Sequence, residues 1–242
     1  MLLVYWFSLK YGKVTNLAIK SILIGKKNIT PSRIFCIAKN YEEHIRELGD
    51  DAQVSRNLEN DGHPVVFMKP ATSIVSRGEL IQVPVHGDIL QHEVEVVILL
   101  RGGGKNILED KALSYVSGVT LGLDLTLRDL QAAMKKLGYP WELSKSFDQS
   151  APLGSMRTYD GSFNLFDIPF SCFVNGEKRQ EGNTEDMIFS ISKIISFLST
   201  IWELIPGDLI YTGTPSGVGD LKTGDEIVLD SPILGRFTWN IF

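Results

Sequence analysis

Runs of apolar residues bounded by turn residues follow one another along this chain and predict strands more often than helices. The pair Asn175-Gly176 is a strong signal for a hairpin between two of these runs. Strands outnumber helices and do not alternate with them, so the pattern predicts a strand-dominated α+β fold and not a doubly wound sheet. In the main body, strands are expected at residues 33–38, 64–68, 93–100, 119–124, 170–174, 208–211 and 226–229.

Helical spacing of apolar residues is clearest over residues 126–137. Thr126 is expected to cap the start of this helix, with Asp129 as the acid of a capping box, and Gly138 is expected to end it. The other expected helices are residues 40–48 and a helix that begins at Asn183 or Thr184 and buries apolar residues up to Leu198.

The first thirty residues differ from the rest. They predict a short strand pair closed by a turn at Lys26-Lys27-Asn28, and a main body that begins at Pro31. The apolar opening, Met1 to Phe7, has no basic residue before it and no small-residue cleavage site, so we expect a strand and not a signal peptide. The chain is therefore divided into a small N-terminal strand segment, residues 1–30, and a main domain, residues 31–242.

Composition narrows the possible partners. The net charge is -5 and the basic residues are scattered, so no basic patch for nucleic acid is expected. No run approaches the roughly 18 apolar residues of a membrane span. Cys36 and Cys172 lie far apart in the sequence, which is compatible with a reducing compartment, and we expect the protein to be cytoplasmic.

Acidic residues at the edge of apolar strands are the most informative chemical feature. Glu93 and Glu95 precede an apolar run, and side chains two apart on a strand share a face at a spacing of about 6–7 Å. Asp124 ends another apolar strand. Two like charges entering a buried strand repel each other and are costly to desolvate. A bound cation would offset both of these free-energy costs. Hard carboxylate oxygens suit Mg²⁺, Mn²⁺ or Ca²⁺. The alternatives are an edge strand with solvated glutamates and a structural turn aspartate.

Two further groups are candidates for catalysis. His44 and Glu47 are three apart on a predicted helix, where the carboxylate can orient the imidazole as a general base. Lys145 lies among polar residues after a Pro-Trp turn and could stabilise an enolate oxygen or hold a carboxylate. The alternatives are an ordinary surface pair and a solvated lysine.

The order of the motifs resembles the fumarylacetoacetate hydrolase family over roughly residues 31–242, and most closely its compact acylpyruvate hydrolase and oxaloacetate decarboxylase branch. The series is N-Y-x-x-H-x-x-E, F-x-K-P, H-E-V-E-V, G-L-D-L-T-x-R-D-L-Q, K-S-F-D, T-G-T-P-S-G-V-G and L-K-x-G-D. Two positions depart from the pattern of relatives. Lys39 stands where an arginine is common, and Ile37 stands where fumarylacetoacetase-like members carry a further carboxylate ligand, which favours the branch with smaller substrates.

The resemblance implies a mixed β-sandwich roll with a few short helices, usually assembled as a homodimer. By position, Glu93, Glu95 and Asp124 match the metal ligands, with Mg²⁺ or Mn²⁺ expected and Ca²⁺ possible in crystals. The catalytic residues implied are His44 and Glu47, on a lid that orders over the substrate, together with Lys145. Lys69 is expected to support the site from behind. The implied substrate contacts are Arg128, Gln131 and Thr214.

The function expected from this resemblance is metal-dependent hydrolysis of acylpyruvates to pyruvate and a carboxylic acid, with decarboxylation of oxaloacetate as a second activity. One alternative keeps the same metal site for isomerisation or decarboxylation of hydroxy-dienedioates, or for hydration of 2-oxo-enoates. A non-catalytic metal- or ligand-binding homologue is another alternative, and a purely structural strand protein ranks last.

Overall fold

The computed structural model describes residues 20–49 and 63–242. The strands are β1 Ile22–Ile24, β2 Lys27–Ile29, β3 Arg33–Ala38, β4 Val65–Pro70, β5 Ile74–Ser76, β6 Leu80–Ile81, β7 Leu90–His92, β8 Val94–Leu100, β9 Val116–Leu123, β10 Thr126–Leu127, β11 Ala151–Leu153, β12 Arg157–Thr158, β13 Pro169–Val174, β14 Glu177–Asn183, β15 Leu209–Tyr211, β16 Gly219–Asp220, β17 Glu226–Ser231 and β18 Gly235–Ile241. The helices are α1 Glu42–Glu47, α2 Glu109–Ala112, α3 Arg128–Leu137, α4 Glu142–Lys145 and α5 Ile191–Ile201, and short 3₁₀ turns cover Ala71–Ser73, Leu113–Tyr115 and Thr184–Asp186.

Two mixed sheets form most of the fold. An eight-stranded sheet has the order β4-β3-β15-β8-β9-β11-β5, with β12 beside β9, and a five-stranded sheet has the order β14-β13-β17-β18-β6. A small three-stranded sheet, β10-β7-β16, and the hairpin β1-β2 complete the strands. The prediction of a strand-dominated α+β fold with few short helices is confirmed.

The apolar run of β8 is buried on both faces, as its sequence predicts. On one face, Val96 and Ile98 belong to the main core, which also contains residues of the five-stranded sheet and of α5. On the other face, Val97 and Leu99 belong to a second core with β3, β15 and the hairpin β1-β2. Glu95 shares the face of Val97 and Leu99, so the strand delivers its carboxyl group into protein and not into solvent.

The N-terminal hairpin differs in detail from the prediction. Its turn lies at Gly25 and Lys26, one or two residues earlier than the expected Lys26-Lys27-Asn28, and Gly25 has a φ of +57°. A positive φ is adopted by glycine without steric cost, which explains the position of the turn. Met1 to Phe7, where a further strand was expected, lies outside the described residues.

The helix expected at 126–137 begins two residues later, at Arg128. Thr126 does not cap it, because Thr126 pairs with Gln91 in the three-stranded sheet and its hydroxyl donates to the Asp124 carbonyl. The end is as expected, since Gly138 is the left-handed C-cap with a φ of +68°.

The helix expected from Asn183 or Thr184 also begins later. Thr184–Asp186 form a 3₁₀ turn, and α5 starts at Ile191 after Ser190, whose hydroxyl accepts from the Lys193 N–H as an N-cap. The hairpin at Asn175-Gly176 is confirmed, with φ values of +52° and +81° at the two turn residues. Within the two described ranges, no helix is both long and apolar enough to cross a membrane.

Shortening a side chain in the central strand tests whether the double-sided core stabilises the fold. Leu99 is fully buried, so Leu99→Ala should lower the free energy of unfolding by about 2–5 kcal/mol in urea titrations. Leu137→Ala is the matched control, since Leu137 is 58% exposed and its loss should change stability by about 0.5 kcal/mol or less. Equal effects of the two substitutions would contradict this description of the core.

Candidate active site

Three acidic side chains lie together because of the register between β8 and β9. Glu95 lies opposite Gly122, and beyond the strand end the Asp124 N–H donates a 2.8 Å hydrogen bond to the Glu93 carbonyl. One carboxylate oxygen from each of Glu93, Glu95 and Asp124 lies within 4.8 Å of the others. All three residues are buried, which rules out solvated glutamates and an exposed turn aspartate. Glu93 itself falls between β7 and β8, one residue before the strand that was expected to include it.

Three cationic side chains surround these carboxylates. The Lys145 Nζ donates to Glu93 Oε2 at 2.8 Å and to Asp124 Oδ2 at 2.6 Å. Arg128 forms a salt bridge with Glu93 Oε1. The Lys69 Nζ lies 2.8 Å from Asp124 Oδ1, which is the supporting position expected for this lysine. The formal charges of the three carboxylates and the three cations balance.

Burial and neighbouring charges shift the pKa values of these groups in different directions. Burial raises the pKa of Glu95 well above its usual value, and the like charge of Asp124 adds to the increase. Burial would also raise the pKa of Glu93, but the Lys145 ammonium and the Arg128 guanidinium outweigh it and hold that pKa below its usual value. Burial alone would lower the pKa of Lys145, but Asp124 and Glu93 outweigh it and keep the pKa raised. The pKa shift therefore favours the ammonium form of Lys145.

The donor set fits a hard divalent cation. All three groups offer carboxylate oxygens, and Asp124 Oδ1 is buried without a hydrogen-bond partner among the described residues, since the nearby Lys69 ammonium is not aligned to donate to it. The Lys69 ammonium compensates the charge of this oxygen, but the hydrogen-bonding capacity of the oxygen is left for a ligand. Glu95 is positioned by the Gly213 N–H, which donates to its Oε2 at 2.8 Å. Oxygen ligands of this type suit Mg²⁺, Mn²⁺ or Ca²⁺.

The predicted dyad forms as expected on α1. The His44 Nδ1 lies 3.1 Å from Glu47 Oε2, and the other oxygen of Glu47 accepts from the Gly217 N–H at 2.9 Å. Burial would raise the pKa of Glu47, but the hydrogen bonds from His44 and Gly217 outweigh it and lower the pKa. Glu47 is therefore ionised and only accepts, so the Nδ1 of His44 carries a hydrogen and its Nε2 is left for chemistry.

Asn40 fixes the start of α1 against the rest of the site. Its side-chain amide is buried, donates to the Thr212 and Phe189 carbonyls at 2.8 and 3.1 Å, and accepts from the Phe189 N–H at 2.7 Å. The peptide unit whose Thr212 carbonyl accepts from Asn40 also donates its Gly213 N–H to Glu95 Oε2. Gly213 has a φ of +101°, and a Cβ there would lie 2.7 Å from the Asn40 Cβ, so only glycine fits this approach.

One small cavity brings the predicted site residues together. It is lined by the three carboxylates and by His44, Lys145, Arg128, Gln131 and Thr214, and its volume is about 30 Å³. Glu47 does not line the cavity and reaches it through His44. The volume corresponds to about two or three water molecules.

The residues assigned to substrate contact are held by other side chains. Arg128 donates to Gln91 Oε1 at 2.6 Å and also to Gln131 Oε1, so α3 presents the two as a unit. Lys145 is 2% exposed, which rules out the alternative of a solvated lysine. The Thr214 hydroxyl accepts a 2.8 Å hydrogen bond from Gln180. The individual roles in catalysis and binding stay predictions.

Sequence analysis missed two buried residues that organise the site. Asn40 was part of a quoted motif but had no role, and Gln180 was not singled out. Gln180 lies in β14, far along the chain from every residue that it contacts. Its one sequence signal is a polar side chain between charged neighbours on a strand, which is not distinctive.

Comparisons with known proteins agree with this geometry. The family model described as fumarylacetoacetate (FAA) hydrolase C-terminal matches residues 33–241. A mitochondrial oxaloacetate tautomerase of Mus musculus is 42% identical over 206 residues, which cover 84% of this chain and 90% of that protein. A mitochondrial oxaloacetate decarboxylase of Dictyostelium discoideum is 38% identical over 199 residues, covering 82% and 88%.

A solved structure extends the likeness to the whole architecture. The crystal structure of fumarylpyruvate hydrolase from Pseudomonas aeruginosa, in complex with Mn²⁺ and pyruvate, is 33% identical with a TM-score of 0.84, and the match covers 92% of this chain and 95% of that chain. The motif series, the strand-dominated fold and these matches lead to one conclusion. The chain belongs to the fumarylacetoacetate hydrolase family.

Proposed function

We propose that the protein is a divalent-metal-dependent enzyme that interconverts the keto and enol forms of oxaloacetate. The observation that carries this proposal is the single cavity in which His44, oriented by Glu47, faces the carboxylates of Glu93, Glu95 and Asp124. The name of the 42% identical mouse relative, an oxaloacetate tautomerase, supports this choice of reaction.

Glu93, Glu95 and Asp124 would hold the cation, with Mg²⁺ or Mn²⁺ as the physiological candidates. The chemistry that a bound divalent cation supplies is polarisation of the oxo group of the substrate. The Mn²⁺ and pyruvate in the Pseudomonas aeruginosa structure support this assignment.

Charge balance favours a substrate with two carboxylates. With all three carboxylates ionised around a divalent cation, Lys69, Lys145 and Arg128 balance the carboxylates and the charge of the cation remains in excess. The cationic side chains of Lys39 and Lys135 also line the cavity. A buried net charge of this size is costly without counter-charges. Oxaloacetate carries two negative charges near neutral pH and reduces this excess of positive charge.

Different residues move the proton and stabilise the charge that forms in the proposed reaction. His44 Nε2 takes a proton from C3, and Glu47 stabilises the imidazolium that forms. Lys145 and Arg128 stabilise the negative charge that moves to the C2 oxygen. Return of the proton to that oxygen gives the enol, and return to C3 restores the keto form, so no carbon–carbon bond breaks. Gln131 and Thr214 hold the carboxylate of the substrate.

Hydrolysis of acylpyruvates is the second candidate. The same His44–Glu47 pair can deprotonate a water that attacks the C4 carbonyl, after which the C3–C4 bond breaks and pyruvate and a carboxylic acid are released. The likeness to fumarylpyruvate hydrolase favours this reaction. Decarboxylation of oxaloacetate, named for the Dictyostelium relative, would use the same enolate without the water. Isomerisation or hydration of 2-oxo-dienoates, and metal binding without catalysis, are outcomes that the assays below distinguish.

Turnover by metal-stripped protein tests the proposal directly. Added Mg²⁺ or Mn²⁺ should accelerate enol formation from oxaloacetate, followed by ultraviolet absorbance. His44→Ala should lower kcat/KM by about 100-fold or more, because a general base is lost. The matched control is His86→Ala, since His86 is exposed and outside the cavity. Full activity in His44→Ala would contradict the assignment of the base.

The same preparations separate the candidate reactions. Metal-dependent pyruvate from acetylpyruvate, with no effect on oxaloacetate enolisation, would make hydrolysis the primary function. Metal-dependent loss of CO₂ from oxaloacetate alone would indicate a decarboxylase. Tight Mn²⁺ binding without turnover of either compound would contradict both candidates and favour a 2-oxo-dienoate or a non-catalytic homologue.

Metal binding should depend on Glu95. Glu95→Gln keeps the size of the side chain and removes an anionic ligand, so the Kd for Mn²⁺ in calorimetric titrations should rise by about 10-fold or more. Glu226→Gln is the matched control, because Glu226 is exposed and lies far from the carboxylates in the sequence. Unchanged Mn²⁺ affinity in Glu95→Gln would argue against the ligand set.

The pH dependence of metal binding follows from the raised pKa of Glu95. In the metal-free protein this carboxyl keeps its proton at pH values above the ordinary glutamate value of 4.5, and a cation has to displace it. Affinity for Mn²⁺ should therefore fall as the pH is lowered, beginning above that value, and binding should release protons. Titrations in buffers of different ionisation enthalpy measure the release, which Glu95→Gln should diminish. Wild-type binding without proton release in this range would refute the expectation.

A further inference from the structure

Gln180 in β14 has a fully hydrogen-bonded side chain, although only 1% of the residue is exposed. Its Oε1 accepts from the Val94 N–H at 3.1 Å and lies 2.9 Å from the His92 Nδ1. Its Nε2 donates to the Thr214 hydroxyl at 2.8 Å and to the Pro215 carbonyl at 2.9 Å. One buried amide thus connects β8, which carries Glu95, with the loop that follows β15.

The orientation of this amide is settled by its backbone partners. The Val94 N–H can only donate, so it requires the oxygen of Gln180, and the Pro215 carbonyl can only accept, so it requires the nitrogen. Turning the amide over would place donor against donor and acceptor against acceptor. It follows that His92 Nδ1 carries a hydrogen and donates to Gln180, and that the oxygen of Thr214 accepts.

This orientation determines what Thr214 offers to the cavity. Its hydroxyl oxygen accepts from Gln180, and within residues 20–49 and 63–242 its own hydrogen has no acceptor. Thr214 lines the cavity beside Glu95 and His44. The hydroxyl hydrogen is therefore available to an anionic oxygen of a ligand, and the hydrogen bond from Gln180 occupies one of the two lone pairs of the oxygen.

The packing around Gln180 leaves little freedom for another arrangement. Gly217 in the same loop has a φ of +94°, and a Cβ there would lie 2.0 Å from the Arg179 carbonyl oxygen. A Cβ on Gly182 would lie 2.9 Å from the Pro215 Cγ. The loop therefore packs closely against β14 on both sides of Gln180, through the Gly217 backbone on one side and the Pro215 ring on the other. This packing restricts the distance between Gln180 and Thr214.

We infer that Gln180 is a positioning residue that orients the Thr214 hydroxyl as a hydrogen-bond donor to the carboxylate of a 2-oxo acid. The identity of the ligand rests on the proposed function, whereas the direction of the hydrogen bonds does not. Gln180 acts through Thr214 and touches no reacting atom, so it sets how tightly the carboxylate is held and not the rate of proton transfer.

Reversing the donor at Gln180 tests this inference. In Gln180→Glu, one oxygen still accepts from Val94 and His92, but the other can only accept, so Thr214 has to turn its hydrogen away from the cavity. KM for oxaloacetate should rise about tenfold with kcat nearly unchanged, and the Kd for pyruvate in the presence of Mn²⁺ should rise equally. Gln82→Glu, at an exposed position, is the matched control and should change neither value.

A double-mutant cycle separates positioning from general structural damage. Thr214→Val removes the hydroxyl and should produce the same rise in KM, and Thr214→Ser should restore it. If Gln180 acts through this hydroxyl, Gln180→Glu combined with Thr214→Val should be no worse than Thr214→Val alone. Additive effects, or a loss of kcat with unchanged KM, would overturn the inference.

Two further observations keep the test independent of folding and of the substrate. In ¹⁵N-histidine spectra of the wild-type protein near pH 8, His92 should be the Nδ1–H tautomer, and an Nε2–H tautomer would overturn the orientation of Gln180. If the wild type does not turn over oxaloacetate, the proposed function fails. The inference is then decided by the tautomer together with the Mn²⁺-dependent pyruvate titration, in which absent pyruvate binding would overturn the assignment of Thr214.

Discussion

The antiparallel pairing of β8 with β9 is the constraint on which the site depends, because it holds three buried carboxylates close together. Like charges in a buried environment repel each other and lose their hydration, so this arrangement has to be imposed by the surrounding structure. The two strands are closely packed at Gly122, which lies opposite Glu95. A Cβ on Gly122 would lie less than 3 Å from Val97 Cγ2 and from the Pro152 oxygen. Close packing therefore restricts the register of β8 and β9 at this point, and the register places the acidic groups.

The loop after β15 connects this strand pair to α1 and β14. The Gly213 N–H donates to Glu95, and the Gly217 N–H donates to Glu47. The Thr214 hydroxyl accepts a hydrogen bond from Gln180. Asn40 ties the first turn of α1 to the same loop through the Thr212 carbonyl. Glu95 and Glu47 accept hydrogen bonds from this loop, and Thr214 is part of it. A shift of the loop would therefore move all three side chains at once. The glycines with positive φ at 213 and 217 are what allow the backbone to pass so close to its neighbours.

The acidic residues and the His44–Glu47 dyad could be predicted from the sequence, because both depend on local spacing. Period-two spacing placed Glu93 and Glu95 on one face, and the apolar run after them implied burial on both sides. Local helix spacing was enough for His44 and Glu47. The errors came where tertiary pairing overrides local propensity, as at Thr126, which joins a small sheet instead of capping α3. Gln180 could not be found, because its role depends on contacts with residues far away in the chain. The homodimer and the cytoplasmic location stay predictions.

The arrangement of charged groups in the cavity also indicates which group would act as the base in the candidate reactions. Asp124 and Glu93 raise the pKa of Lys145 and so favour its ammonium form, which donates to both carboxylates. His44 is then the one group described in the cavity with both a free nitrogen and an ionised partner. Whether that nitrogen meets the C3 hydrogen of a substrate or a water beside its C4 carbonyl separates tautomerase from hydrolase. In the proposed arrangement, the position of the substrate in the cavity decides between these two encounters. The Thr214 hydroxyl, oriented by Gln180, is the group that our inference assigns to the substrate carboxylate, so it would contribute to that position.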